Sequence, residues 1–281
     1  MKTPVAHSVL READGGGLVV LADFGTAGRP SATFTELVEG LRTEATFWET
    51  MPPPYGEEEG LDAAGHVARW TADVRASGLP VRAVIGFCSG SVYAAALVEE
   101  ISRWQDRPRL VLIDPDLAER RMVIEHYERF MTARLSPVLA PEEVAAALRE
   151  GREADAAAAT ALDLAAGLGV LCRRILPPAC ERAGMSGERS TELALIFAAY
   201  LHWLAAGAEV DPRPVWKEAT ALNSATEGFG LDAFPPAARP GLVGTVVEFD
   251  LPHLELMRDP GVAECVDELL RTEQSPSGGP A

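Results

Sequence analysis

Up to residue 116, apolar positions along this chain alternate between short unbroken runs and stripes spaced three and four apart. Residues 17–24 (Gly-Leu-Val-Val-Leu-Ala-Asp-Phe) are the first run, the pattern of a strand buried on both faces. The Gly-containing loop Gly25-Thr26-Ala27-Gly28 follows, then a helix with Phe34, Leu37, Val38 and Leu41 on one face. A weaker strand is predicted over 44–48, a loop over 51–56, and a helix over 61–77 carrying Leu61, Ala64, Val67, Trp70 and Val74 at helical spacing. Residues 81–85 form a second buried strand, residues 91–104 a helix, and residues 110–113 a third strand ending at Asp114-Pro115. Strands alternating with helices predict an α/β fold, a parallel sheet covered on both faces. In such sheets, functional groups gather at the carboxyl ends of strands, where Gly25, Cys88 and Asp114 all fall.

The alternation then stops. Residues 117–208 read as helical throughout, with Leu117, Ile124, Tyr127, Met131 and Leu135 on one stripe and an almost wholly apolar helix over 192–206. Strand patterns return over 215–222 and 243–249, and a helix over 262–270 closes the pattern. The expected organisation is a core of residues 1–116 and 209–272, a helical lid inserted over 117–208, and a disordered Ser/Gly/Pro-rich tail over 273–281. Residues 1–14 read as a frayed lead-in.

The sharpest chemical signal is Gly86-Phe87-Cys88-Ser89-Gly90, set between a strand and a helix. That is a G-x-S-x-G nucleophile elbow with cysteine in place of serine. Its glycines let a strained turn pass without clashes, and the amides of the following helix favour a thiolate. A cysteine so placed needs a base, and the base needs an orienting group. Of five histidines, His7 lies in the lead-in, His66 falls off the apolar face of its helix and is expected to be solvated, and His126 and His202 lie in lid helices. His253 follows the last strand through Asp250-Leu251-Pro252 and is the candidate base. Asp114, at the end of the strand after the elbow strand, is the candidate orienting acid, with Glu218 and Glu227 as rivals. Asp116 reads as the N-cap of a helix beginning at Leu117. The backbone N–H groups of Ser89 and of a residue near Thr26 are the expected oxyanion donors.

Composition narrows the setting. A net charge of −17 leaves no basic stripe for nucleic acid and argues against an anionic membrane surface. Arg120, Arg121, Arg129 and Arg134 could form a local basic patch for an acidic partner, whereas Glu57-Glu58-Glu59 reads as a solvated loop. Four scattered cysteines suggest neither a disulfide framework nor a metal site. With no signal-like or membrane-spanning run in the sequence, the cytoplasm is the expected location.

Together the first strand and its loop, the F-x-x-L pair Phe34 and Leu37, the elbow, Leu112-Ile113-Asp114-Pro115, the helical lid and the segment from His253 to Met257 resemble the thioesterase domains of polyketide and nonribosomal-peptide assembly lines. The resemblance covers most of the chain and implies an α/β-hydrolase fold with no bound cofactor. It implies an acyl group delivered on phosphopantetheine by an acyl or peptidyl carrier protein, then released to water, to an internal nucleophile or to another acceptor. It also favours Asp114 over Glu218 as the acid. Two departures stand out: most members carry serine at position 88, and the usual His-x-x-Gly-Gly-like loop appears here as Phe24-Gly25-Thr26-Ala27-Gly28. A cysteine acyl-enzyme is a thioester, which tilts the expected chemistry from hydrolysis towards transfer or ring closure. Phe197, Tyr200 and Trp203 crowd one lid helix and fit either the roof of an apolar pocket or simple packing. A dienelactone-hydrolase-like esterase also carries a cysteine elbow, although that family lacks a long helical insertion. A non-catalytic acyl-binding protein is the third reading.

Overall fold

Strand β2 (Leu18–Ala22) is buried at every position, as its unbroken apolar run requires. A computed structural model describes residues 3–24, 32–58 and 60–272. Among these, β1 (His7–Arg11), β2, β3 (Thr46–Thr50), β4 (Val81–Phe87), β5 (Arg109–Ile113), β6 (Thr220–Asn223) and β7 (Thr245–Glu248) form one sheet in the order β1-β3-β2-β4-β5-β6-β7. Every pairing is parallel except that of β1 with β3.

Side-chain alternation along these strands feeds two cores. Val19, Leu21, Ile85, Phe87, Val111 and Ile113 face α1 (Phe34–Gly40) and α9 (Pro260–Arg271), meeting Leu37, Val262 and Val266. Val20, Ala22, Val84, Leu110 and Leu112 face the opposite way, towards α2 (Ala63–Ser77) and α3 (Gly90–Ile101). Between β5 and β6 run α4 (Arg120–Phe130), a π-helical turn (Met131–Leu135), α5 (Pro141–Ala157), α6 (Ala161–Arg182) and α7 (Gly187–Gly207). The apolar side chains of this insertion, Tyr127, Leu168, Leu176 and Leu204 among them, join the α2/α3 core. Among the described residues, no helix is long and apolar enough to cross a membrane.

Several local expectations change. The lead-in contains β1, an edge strand whose His7 is buried, its ring 5.5 Å from that of Trp48 and tilted by 41°. Residues 215 and 216, expected to open the strand over 215–222, instead end the short helix α8 (Arg213–Trp216), because Pro212 and Pro214 remove ladder donors there. Glu58 is buried, with a carboxylate oxygen accepting the Gly56 N–H at 2.6 Å, so the Glu57–Glu59 stretch is not a uniformly solvated loop. The tail expected over 273–281 lies outside the described residues.

Candidate active site

The elbow is built by close approach. Strand β4 ends at Phe87 and α3 begins at Gly90, so Cys88 and Ser89 must reverse the chain between them. A β-carbon on Gly86 would lie 2.5 Å from the Cα of Ser91, and one on Gly90 would overlap the Ala22 carbonyl oxygen. Cys88 takes φ +50°, a left-handed conformation that a non-glycine residue holds only when its surroundings impose it. Its N–H donates to the Ile113 carbonyl at 3.0 Å, and its carbonyl accepts the N–H of Ser91 at 3.0 Å. Ser89 stands at the N-cap of α3, and among the described residues no acceptor takes its N–H. Thr26, the other expected oxyanion donor, lies outside the described residues.

Asp114 leaves the end of β5 at φ +44° and is fully buried. One carboxylate oxygen accepts the Ser224 N–H at 2.6 Å, and the other lies 2.7 Å from His253 Nδ1. His253 opens the 3₁₀ segment His253–Arg258, and its own N–H donates to Thr226 Oγ1 at 2.7 Å. Its ring lies between two aromatic faces: Phe87, the residue before Cys88, at 4.9 Å and 13°, and Phe229 at 4.4 Å and 31°. With Nδ1 held by Asp114, Nε2 is the nitrogen left for a thiol, and two flanking π faces suit a ring that becomes cationic. Gly230 belongs to this assembly, since a β-carbon there would come 2.5 Å from an Asp114 oxygen.

Asp114 and His253 are therefore brought together, beside the elbow of Cys88. The rival acids are elsewhere: Glu218 pairs with Arg107 at 2.9 Å, and Glu227 is exposed. His66 is buried, not solvated, packed against Trp70 and Tyr93 near His202, and burial lowers its pKa to about 4. His126 meets the Tyr200 hydroxyl at 3.0 Å through Nδ1. Of the four arginines of the expected patch, Arg120 pairs with Asp155 and Arg121 with Glu119 and Glu125, while Arg129 and Arg134 are exposed. Sequence reasoning did not find Ser224, Thr226 or Phe229, which hold the acid and the histidine. Only their place after a strand end could have pointed to them.

Asp116 is not a helix cap. Helix α4 begins at Arg120 with Glu119 in the cap position, and Asp116 instead donates its N–H to the Cys88 carbonyl at 3.3 Å. Burial raises its carboxyl pKa to about 6; the Leu117 N–H and the charges of Arg121 and His253 pull the other way, and Glu119 adds to the rise.

No family model matches the sequence, and no curated protein matches it significantly. Solved structures do match. A four-domain nonribosomal peptide synthetase bound to AMP and glycine aligns over 96% of this chain (TM-score 0.59, 17% identity), which spans 20% of that protein. The NocB thioesterase domain, a covalent complex with a fluorophosphonate nocardicin G analogue, aligns over 95% of this chain and 100% of its own (TM-score 0.53, 16% identity). The enol-lactonase from Burkholderia xenovorans LB400 aligns over 95% and 96% (TM-score 0.51, 16% identity). The chain has the α/β-hydrolase fold. A fold shared by thioesterase domains and a lactonase leaves the activity to be argued from the site.

Proposed function

We propose that this α/β-hydrolase-fold protein is an acyl-transferring, thioesterase-like enzyme with Cys88 as nucleophile, His253 as base and Asp114 as the group that orients His253. The observation that carries the reading is the 2.7 Å contact of buried Asp114 with His253, stacked on the residue before an elbow cysteine at positive φ. In this mechanism the Cys88 sulfur gives its proton to His253 Nε2 and attacks the carbonyl carbon of a phosphopantetheine thioester. The Ser89 N–H, with Thr26 as second donor, stabilises the oxyanion. The carbonyl bond to the pantetheine sulfur then breaks, and His253 returns the proton to the departing thiol. Asp114 stabilises the transient imidazolium and keeps Nε2 towards the sulfur.

The acyl-enzyme is itself a thioester, so loading exchanges one thioester for another at little free-energy cost. An amine or a constrained internal nucleophile discharges it by forming a new carbonyl bond as carbon–sulfur breaks, the displaced proton passing through His253 to sulfur. The donor fitting this chemistry is an acyl or peptidyl carrier protein of polyketide or nonribosomal-peptide biosynthesis, with exposed Arg129 and Arg134 available to its surface. No cofactor takes part in the scheme.

Intact-protein mass spectrometry with a panel of acyl-pantetheine thioesters tests this directly. Wild type is expected to gain one acyl mass, and Cys88→Ala none. Persistence of the adduct in water favours transfer or ring closure, and rapid decay favours hydrolysis. Equal consumption of thioester by Cys88→Ala removes the nucleophile assignment. Turnover of small lactones in preference to every thioester replaces this reading with a dienelactone-hydrolase-like one.

A further inference from the structure

The loop that follows β6, residues 224–230, closes over the histidine. Buried Asn223 anchors its base: the side-chain oxygen accepts the Leu231 N–H at 2.7 Å, and the amide donates to a Glu248 oxygen at 2.9 Å and to the Ser224 carbonyl at 3.1 Å. Within the loop, the Ala225 N–H donates to the Leu251 carbonyl at 2.9 Å and the Phe229 N–H to the Thr226 carbonyl at 3.2 Å. Gly228 and Gly230 flank Phe229 at φ +76° and +56°, and a β-carbon at Gly230 would strike both Asn223 and Asp114. Phe229 is thereby fixed on His253 opposite Phe87, its outer side half exposed. Phe87 belongs to the buried core of β4, so Phe229 is the partner that the loop adds. An imidazolium enclosed in this way has two aromatic faces within about 6 Å and the Asp114 carboxylate at Nδ1, attractions that a neutral ring does not gain. Cys88 stands just before the N-terminus of α3, where helix amides favour a thiolate.

Resting on the Cys88 reading above, we propose that Phe229 is a positioning residue for the nucleophile: by closing the second face of His253 it keeps the imidazole cationic before substrate arrives, so that Cys88 rests as a thiolate paired with it. One proton moves from the Cys88 sulfur to His253 Nε2, no bond to carbon is made or broken, and no co-reactant is needed. Attack on a thioester then needs no further proton transfer, and the departing pantetheine sulfur takes the proton already on Nε2. Around the imidazole the titratable groups are Asp114, in contact; Asp116, close enough for the two charges to interact; Cys88, next to the stacked Phe87; and Glu227, exposed and two residues from Phe229. Glu255, on the histidine's own 3₁₀ segment, is paired with Arg258.

Two measurements test this. The first is alkylation of Cys88 by iodoacetamide in wild type, followed by intact-protein mass with Cys88→Ala as the control for the other cysteines. A resting thiolate reacts at nearly the same rate at about pH 6 as at about pH 8, whereas an ordinary thiol slows by about 80-fold over that interval. A fall of that size overturns the proposal. The second is the titration of the His253 ring followed by NMR, with Phe229→Leu, which keeps apolar bulk and loses the aromatic face, and Phe229→Tyr, which keeps the face. Phe229→Leu is expected to lower the midpoint by about half to one pH unit, in both the Cys88 and the Cys88→Ala backgrounds, and Phe229→Tyr to leave it in place. Asp116 is common to every variant, so its own titration shifts all curves alike. A midpoint unmoved by Phe229→Leu overturns the role of Phe229, as do equal shifts in the two variants, which would place the effect in packing. The reading of Cys88 as acyl carrier fails separately. If Cys88 is alkylated as a resting thiolate and the midpoint moves as expected, yet no pantetheine thioester acylates it, the proposed function falls and the role of Phe229 stands. If acylation proceeds and Phe229→Leu leaves the midpoint unmoved, the reverse holds.

Discussion

Cys88 and Asp114 hold left-handed backbone at +50° and +44°, where a β-carbon crowds the following carbonyl at a cost of about 1 to 3 kcal/mol each. Both are pinned by neighbouring strands: Cys88 N–H by Ile113, Asp114 N–H by Leu222. The site thus stores strain at the residues that must point out of the sheet. Asp116 adds an electrostatic cost of the same kind. Its carboxyl pKa is raised in the folded protein, from 3.8 to about 6, so the folded state binds a proton more readily than the unfolded one. Its destabilising effect is therefore full above pH 6 and absent well below pH 4. Asp116→Asn should stabilise the protein at pH 7.5 by about 1 to 2 kcal/mol, allowing for the solvent around a half-buried group. The gain should shrink to a small fraction of that at pH 4. Urea unfolding of both proteins at the two pH values checks this. A gain equal at both would mean that charge is not its cause.

At the scale of elements, the elbow works because β4, β2 and α3 approach one another at two glycines. Gly90→Ala would drive a β-carbon into the backbone oxygen of Ala22, in a strand with no room to shift. Overpacking against backbone predicts a loss of roughly 3 kcal/mol or more, seen as a fall in midpoint of thermal unfolding, with altered reactivity of Cys88 towards iodoacetamide. An alanine variant as stable as wild type would mean that the strand can yield. These elements were legible because strands buried on both faces write continuous apolar runs, and the glycines, Cys88, Asp114 and His253 each fall at a strand end. The elements that were misread depend on partners remote in sequence. Strand β1 pairs on one side only, with β3, so its His-Ser-Val-Leu-Arg carries no apolar run. His66 leaves the apolar stripe of α2 yet is buried, because the ring packs near His202 of α7, 136 residues further along the chain. Asp116 reads as a cap in the sequence, and only the turn at Asp114 brings its N–H to the Cys88 carbonyl instead.

For the whole molecule, the question is what keeps the two ends of the core registered while a long helical insertion separates β5 from β6. Asp267, in the last helix, answers part of it. Its carboxylate accepts the N–H of Arg42 at 2.8 Å and both the N–H and hydroxyl of Thr43, at 2.9 and 2.6 Å, across more than 220 residues of chain. Arg82 adds a second tie from the start of β4 to the Leu270 carbonyl at 2.7 Å. Burial pushes the Asp267 carboxyl pKa up, but the bonds from Thr43 and from the Arg42 N–H outweigh it, so the folded value lies below the ordinary one. For a depressed carboxylate, the stabilisation is complete above the unfolded pKa and is lost as pH falls through the folded one. Asp267→Asn keeps the shape but replaces an acceptor oxygen by an amide donor facing N–H groups, which predicts a loss of about 2 to 3 kcal/mol at pH 7.5. The deficit should narrow as pH falls below the ordinary carboxylate value of 3.8, because the wild-type carboxylate protonates somewhere below it and loses the same bonds. Urea midpoints measured across that range decide it. A deficit that stays constant would place the effect in packing of α9 against α1, not in the charged clasp that joins the first third of the chain to the last.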